Sequence, residues 1–262
     1  MLDHADIASK LAAAGITGHH RSHDRANNLR KIAELAEGSA EATFGISGTE
    51  KYAAGEVLAF LAGLTGCSPD IAECDGYDTI DPQRTIDGLV TAGRRLGSAA
   101  MRGELLLTAT GHPTGLLEYY MNIVAAYRRA GGKVLRLMEE ERFAFGRSKE
   151  AEIRYTGGVG CLADWGSLRH THSPMPMEIL LEGQPWPDLV LGDHGFAGAA
   201  IQRSIPTIAV MDINDPALAI AHAEGRDVVI VPMDDNRAPR SYEPAWELVV
   251  HALEETASDQ DF

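Results

Sequence analysis

Apolar residues recur at helical spacing through the first hundred positions of the chain. Broken apolar stripes that end at glycines predict helices from Asp3 to Ala14, from about Asp24 to Glu37, from about Ala54 to Leu64 and from Pro82 to about Ala100. No segment of this part has the pattern of a strand. We therefore expect residues 1–101 to form a helical N-terminal cap region.

From Glu104 onward, short apolar strands alternate with amphipathic helices. Strands are predicted over residues 104–109, 133–138, 188–191, 206–211 and 227–231, and residues 152–164 are compatible with one more. Helices are predicted around Leu116 to Tyr127, before Gly131, and over residues 198–203 and 216–224. Such alternation is typical of parallel βαβ units.

The predicted fold class is α/β, with a mostly parallel sheet flanked by helices and a helical N-terminal part. Residues 102–262 are expected to form the α/β catalytic core and to make one compact unit with the cap region. Polar or proline-rich connections are expected over residues 139–150 and 166–177. Long connections in such a sheet often belong to the active site.

The charge balance narrows the choice of partner. Lys and Arg total 23 against 38 Asp and Glu, which gives a formal net charge of −15 and disfavours nucleic acid polymers and membrane surfaces. A small phosphorylated metabolite remains compatible, because a bound cation inverts the local field. A homodimer is compatible with the composition, although no segment has an interface pattern. The chain lacks long apolar runs and its start lacks a signal-peptide pattern, so we expect a cytoplasmic protein.

Ligands of open parallel sheets bind outside the carboxyl ends of the strands. After the first core strand, Thr110, Gly111, Thr114 and Gly115 could hold phosphate oxygens on backbone N–H groups. A plain turn with a threonine N-cap is the alternative. In the same loop, His112 is a candidate general acid or base.

Acidic residues follow two further predicted strands. Asp193 and His194 come after the third, and Asp212 and Asn214 come after the fourth. Asp193, Asp212 and Asn214 are candidate ligands of a divalent ion, because hard cations prefer carboxylate and amide oxygens. Asp193 is also a candidate catalytic residue. Asp193 could instead cap a helix, and that role is expected for Asp215.

Further polar side chains could complete the site. His170 and His172 form an HxH pair that could bind either metal or phosphate, and His194 is a second candidate acid or base. Asp78 could reach the site from the cap region. Mg²⁺ or Mn²⁺ is the expected ion, and Co²⁺, Ni²⁺, Fe²⁺ or Zn²⁺ would suit additional imidazole ligands.

Several motifs of other enzyme classes are missing from the sequence. There is no GxxxxGK[ST] loop, no GxSxG elbow and no Cys-x5-Arg loop. A covalent phosphoenzyme therefore lacks an obvious nucleophile. Activated water is the better candidate.

Five segments together resemble a group of actinobacterial proteins that are labelled simply "phosphatase". They are Asp75–Pro82, Ala109–Leu116, His170–Pro174, Asp193–Ala199 and Asp212–Leu218. The layout is also similar to that of metal-dependent damage-control phosphatases, although those have an Asp-Asn pair where this chain has Thr110, Gly111 and His112. The resemblance implies a phosphatase.

We therefore predict a metal-dependent phosphomonoester hydrolase that acts on a small sugar phosphate or nucleotide through activated water. Asp193, Asp212 and Asn214 would bind the ion. A sugar-phosphate isomerase or lyase that uses the same loops is the alternative enzyme class. A ligand-binding module without enzymatic activity is the third possibility.

Overall fold

Residues 4–258 are described in a computed structural model of the chain. The N-terminal part contains α1 (His4–Ala14), β1 (Gly18–His19), α2 (Arg25–Ala36), α3 (Ala40–Thr43), α4 (Ala54–Thr65), β2 (Thr79–Ile80) and α5 (Pro82–Met101). The predicted helices are confirmed, except that Asp3 lies outside the described residues. Asp81 caps α5 by accepting a hydrogen bond from the Gln83 N–H, and Pro82 occupies the first turn.

The expectation that this part has no strand is wrong. β1 and β2 form a two-residue antiparallel pair in which Gly18 lies opposite Ile80. Two residues are too few to produce an alternating pattern, so only tertiary contacts could reveal the pair. The pair matters for function because it positions the segment that follows β1.

A nine-stranded sheet forms the centre of the molecule. Its strands are β3 (Leu105–Thr110), β4 (Lys133–Val134), β5 (Arg142–Phe145), β6 (Ser148–Thr156), β7 (Val159–Asp164), β8 (Ser167–Leu168), β9 (Leu189–Asp193), β10 (Thr207–Met211) and β11 (Val228–Pro232). The order is β11-β10-β9-β3-β7-β6-β5, with β4 beside β3 and β8 beside β7. The strands from β11 to β7 are parallel, whereas β5, β6, β7 and β8 pair in an antiparallel manner.

The remaining helices connect or flank these strands. They are α6 (Pro113–Arg129), α7 (Met175–Leu180), α8 (His194–Gln202), α9 (Pro216–Ala223) and α10 (Glu243–Ser258). The α/β class with a mostly parallel sheet is confirmed. Because α6, α8 and α9 each begin just after a parallel strand, their first residues lie at the carboxyl edge of the sheet.

Three predictions for residues 133–164 differ from the structure. Residues 139–150 are not a connection, since they contain β5 and the start of β6, and residues 152–164 form parts of two strands rather than one. The strand expected over 133–138 ends at Val134. Side chains of β5 alternate between exposed and half-buried, so this edge lacks the continuous apolar runs that mark the buried parallel strands.

Helices cover both faces of the sheet. One face packs against α1, α5, α6 and α10, and the other packs against α4, α8 and α9. α5 and α10 approach each other closely at Gly93, where an added Cβ would lie 2.5 Å from the Val249 carbonyl oxygen. The cap boundary predicted at residue 101 lies between α5 and β3, and it stays a prediction. Within residues 4–258, no helix is both long and apolar enough to cross a membrane.

Candidate active site

A polar cavity of about 250 Å³ opens at the carboxyl edge of the parallel strands. Strand ends form one wall, α2 and the segment before it form the opposite wall, and the loop after β8 contributes two histidines. The lining residues are His23, Asn27, Arg30, Lys31, His112, His170, His172, His194, Asn214, Asp235 and Asn236. The fold thus brings residues from six separate parts of the sequence to one place.

Four imidazole rings meet in this cavity. His194 lies 4.3 Å from His172, 5.5 Å from His170 and 5.7 Å from His112, measured between ring centroids. His112 and His170 lie 4.5 Å apart, edge to face. His112 and His194 are buried, whereas His170 is the most exposed of the four rings.

Asp235 joins these rings from the end of β11. Its Oδ2 atom lies 2.9 Å from His194 Nε2, and its Oδ1 atom lies 3.5 Å from His112 Nδ1. Oδ2 forms an ion pair with His194 at this distance but accepts no well-aligned hydrogen bond. We call His112, His170, His172, His194 and Asp235 the histidine–aspartate group.

The histidine–aspartate group has the unsatisfied atoms expected of a metal site. His112 Nδ1, His194 Nδ1 and Asp235 Oδ2 are buried without a hydrogen-bond partner, which is costly unless another ligand engages them. Ligand atoms of His170, His172 and His194 lie within 4.8 Å of one another, and so do those of His112, His194 and Asp235. Two atoms bound at about 2.1 Å to one ion at a right angle lie about 3 Å apart, close to the His194 to Asp235 distance.

Burial and mutual repulsion make two of the rings neutral. Burial, together with the charge on His194, lowers the pKa of His170 to about 4 and that of His172 to about 2. Neither ring has a hydrogen bond or ion pair with another side chain in the described part of the protein. Both rings therefore offer a free lone pair at neutral pH, as metal ligands must.

The other two rings are pulled toward the charged form by carboxylates. Burial opposes a charge on His194, but Asp215 and Asp235 outweigh it and raise its pKa to about 10. Burial also opposes a charge on His112, but the nearby Asp235 carboxylate outweighs it and raises the pKa of His112. The charge on His194 in turn holds the pKa of Asp235 well below its usual range. A metal ion at this place would substitute for these protons.

A second group of buried charges lies beside the cavity. His20, just after β1, donates from Nε2 to Asp212 Oδ1 at 2.8 Å, and Nε2 lies 3.8 Å from Asp234 Oδ2. The Nδ1 atom of His20 lies 2.8 Å from the His23 carbonyl oxygen, to which it donates. Burial opposes the charged ring, but Asp212 raises the pKa of His20 to about 9.

The His20 group could also hold a metal by its distances, yet its polar atoms are already satisfied. Asp212 Oδ1 accepts from the Ile213 N–H, and Asp234 Oδ1 accepts from Ser22 Oγ and the Asn236 N–H. This group has the contacts of a hydrogen-bonded ion pair. Of these two groups, only the histidine–aspartate group has buried polar atoms without a hydrogen-bond partner.

Comparison with known proteins identifies the family of this chain. The family model described as Phosphatase matches residues 2–257. A Streptomyces coelicolor protein named as a phosphatase is 37% identical over 247 residues, which cover 92% of this chain and 92% of that protein. The chain belongs to the Phosphatase family. It is therefore a phosphatase by class, and hence a hydrolase.

In this phosphatase, Asp193 supports the strand ends rather than facing the cavity. Its Oδ2 atom accepts from Thr110 Oγ1 at 2.6 Å, and its Oδ1 atom accepts from the Gly111 N–H at 2.7 Å. Both oxygens are occupied and the side chain is fully buried, which differs from the metal and catalytic roles predicted for Asp193. The predicted helix cap is not formed either, because no N–H of α8 reaches this carboxylate.

The predicted phosphate loop also uses its polar groups in hydrogen bonds within the protein. Thr110 Oγ1 also accepts the His112 N–H, Thr114 is exposed outside the cavity, and Gly115 packs against the backbone of Asp235. These hydrogen bonds do not match the cradle predicted for Thr110, Gly111, Thr114 and Gly115. The loop instead fixes the position of His112.

Some of the other predicted residues line the cavity and some do not. Asn214 lines the cavity, as do His170 and His172. Asp212 pairs with His20, whereas Asp78 is buried in an ion pair with Arg25 at 2.8 Å and does not line the cavity. Asp215 stands at the start of α9 but caps nothing there, since its Oδ2 atom accepts the Asp212 N–H.

Sequence reasoning missed four acidic or basic residues in and beside the site. Asp234 and Asp235 follow β11, the last strand, whose end was a place to inspect by the rule that located the others. His20 had no such signal, since it depends on the short pair of β1 and β2. Lys31 was hidden in the polar stripe of α2, and only packing shows that it faces the histidines.

Proposed function

We propose that this phosphatase hydrolyses the phosphate monoester of a small metabolite, a sugar phosphate or nucleotide, with a divalent metal ion held by the histidine–aspartate group. One observation carries the proposal. Buried nitrogen and carboxylate atoms of this group converge without hydrogen-bond partners at the carboxyl edge of the sheet. Such atoms are the expected ligands of a metal.

Imidazole-rich ligand sets favour Mn²⁺, Fe²⁺, Co²⁺, Ni²⁺ or Zn²⁺ over Mg²⁺. We therefore place the ion with His170, His172, His194 and Asp235, not with the oxygen set of Asp193, Asp212 and Asn214, and we no longer favour Mg²⁺. When bound, such an ion polarises a phosphoryl oxygen and lowers the pKa of a coordinated water. The remaining chemistry falls to side chains of the chain itself.

Cation and amide donors opposite the histidines are suited to hold the phosphoryl group. Lys31 is half-buried and lines the cavity beside Asn214 and Asn236. A cation and two amides supply hydrogen bonds to phosphate oxygens and neutralise their charge, which is the main demand of phosphoryl transfer. Positioning of the ester depends on this wall.

His112 is suited to supply a proton to the leaving oxygen. Its Nδ1 atom is buried at the cavity without a hydrogen-bond partner, and the nearby Asp235 carboxylate raises its pKa above the usual value, which favours the protonated form. Asp193, through Thr110 and Gly111, keeps the backbone that carries His112 in place. Asp193 is thus a positioning residue.

Hydrolysis by water suits the residues of the cavity better than a covalent phosphoenzyme. Ser, Thr and Cys side chains are all missing from its lining as far as the described residues go. Family membership also favours hydrolysis over the isomerase or lyase alternative. A cytoplasmic location and action on a free metabolite stay predictions.

The test is phosphate release from a panel of sugar phosphates and nucleoside monophosphates by chelator-stripped protein. Mg²⁺, Mn²⁺, Co²⁺, Ni²⁺ and Zn²⁺ are restored singly. We expect release with one or more of the transition ions and little with Mg²⁺. Full activity of the stripped protein would contradict the metal role, and turnover without phosphate release would support the isomerase or lyase.

A further inference from the structure

A second cavity, of about 260 Å³, opens beside the first and shares His170 with it. The β5–β6 hairpin, the end of β7 and the residue that precedes His170 form its walls. Its charged lining residues are Arg147, Asp164 and Arg169. Arg169 and His170 line this cavity together, so the cavity links the arginines to the histidine–aspartate group.

A third cavity connects the two. It is lined by Lys31, His170 and His172, which also line the first cavity, and by Phe145, which also lines the second. The shared residues make a continuous groove from Asn214, past the histidines, to the two arginines. An ester whose phosphoryl group faced the histidines would therefore extend its organic part toward Arg147 and Arg169.

Both arginines lack a carboxylate partner, whereas other arginines of the described chain are paired. Elsewhere Arg25 pairs with Asp78, and Glu104 pairs with both Arg95 and Arg102. Among residues 4–258, no carboxylate lies within the 4.0 Å limit of an ion pair with Arg147 or Arg169. Asp164, the acid of the same cavity, accepts instead from Ser148 Oγ at 2.7 Å.

Two guanidinium groups that line one cavity without a carboxylate partner make that cavity attractive to an anion. Their planar N–H donors match the oxygens of a carboxylate or a phosphate. We propose that Arg147 and Arg169 form a second anion-binding subsite, which selects phosphate monoesters that carry another anionic group on their organic part. This inference rests on the proposed function of the histidine–aspartate group.

The test compares alkyl phosphates of two to six carbons that end in methyl, carboxylate or a second phosphate. Values of kcat/KM are measured with the metal-loaded enzyme. At one or more chain lengths, we expect the anionic ester to be hydrolysed at least about tenfold more efficiently than its methyl partner, as charge-assisted hydrogen bonds to arginine allow. The ratio should fall as ionic strength rises, since both arginines are exposed.

Arg147→Gln, Arg169→Gln and the double variant should each lower that ratio, and the double variant should bring it to about one. Arg142→Gln is the matched control, because Arg142 is on the same hairpin but pairs with Glu150 outside the cavity. Its ratio should stay that of the wild type.

The possible outcomes distinguish a failure of the anion-binding subsite from a failure of the proposed function. Hydrolysis of methyl esters with no preference for anionic ones at any length would overturn the subsite alone. A preference that survives in the double variant, or is lost equally in Arg142→Gln, would do the same. If the metal-loaded enzyme released phosphate from none of the esters, the proposed function and the subsite would both fall.

Discussion

Gly195→Ala should disable the active site without removing any chemical group from it. Gly195 follows His194 in α8, and a Cβ at this position would lie 2.3 Å from the Ser173 carbonyl oxygen and 2.4 Å from the His172 carbonyl oxygen. A carbon normally approaches a carbonyl oxygen to about 3.3 Å. The loop that carries His170 and His172 must therefore retreat by about 1 Å.

The size of the effect follows from that displacement. A shift of about 1 Å in groups that position a substrate costs on the order of 100-fold in rate, which is about 2.7 kcal/mol of transition-state stabilisation. Overpacking should cost about 1–3 kcal/mol of stability. Alanine is the better helix former by up to about 1 kcal/mol, so the net loss of stability should be small.

The assay is phosphate release with saturating metal, combined with denaturant unfolding of the same preparation. Gly63→Ala is the matched control, because Gly63 is also in a helix, α4, and a Cβ there would meet nothing within 4 Å. We expect kcat/KM to fall about 100-fold in Gly195→Ala and to stay unchanged in Gly63→Ala. A Gly195→Ala enzyme within threefold of the wild type would refute the link between loop position and activity.

Three further substitutions test separate parts of the account. Asp235→Asn keeps the size of the side chain but removes its charge, so phosphate release should fall at least about 100-fold, with metal affinity lowered in parallel; activity near that of the wild type would remove Asp235 from the metal site. His20→Gln leaves Asp212 buried without a cation and should cost about 3 kcal/mol in denaturant unfolding of metal-free protein. The pKa of His20 is raised from 6.5 to about 9, so its contribution is full below pH 6.5 and lost as the pH rises through 9; a cost that does not shrink over this range would contradict the ion pair. Gly93→Ala should lower stability by about 1–3 kcal/mol with kcat unchanged, because its Cβ would meet the Val249 carbonyl oxygen at 2.5 Å; unaltered unfolding would show that α5 and α10 can separate freely.

Buried parallel strands and long helices could be predicted from the sequence because their signals are local. Ile208–Met211 is a continuous apolar run, and α6 carries an apolar stripe that covers the sheet. The antiparallel edge could not be predicted in the same way. Its strands are half-exposed, and their pairing depends on the turn at Gly157 and Gly158 rather than on apolar runs.

The location of the site was predictable, but the division of roles within it was not. His112, His170, His172 and His194 were all identified as chemistry-bearing residues, since they follow strands or form an HxH pair. Whether a carboxylate faces the cavity depends on which hydrogen bonds it already makes. Asp193 is occupied by Thr110 and Gly111, and this is a property of packing between β3 and β9 that no spacing in the sequence reveals.

Binding of Co²⁺ to chelator-stripped protein, followed by visible absorbance and metal analysis, tests the central claim most directly. The account predicts that the wild type binds Co²⁺ through imidazole ligands, that Asp235→Asn loses most of this binding, and that His20→Gln retains it. A wild type that binds no Co²⁺ would contradict the account. So would loss of binding in His20→Gln with retention in Asp235→Asn, because the metal would then belong to the group of His20, Asp212 and Asp234.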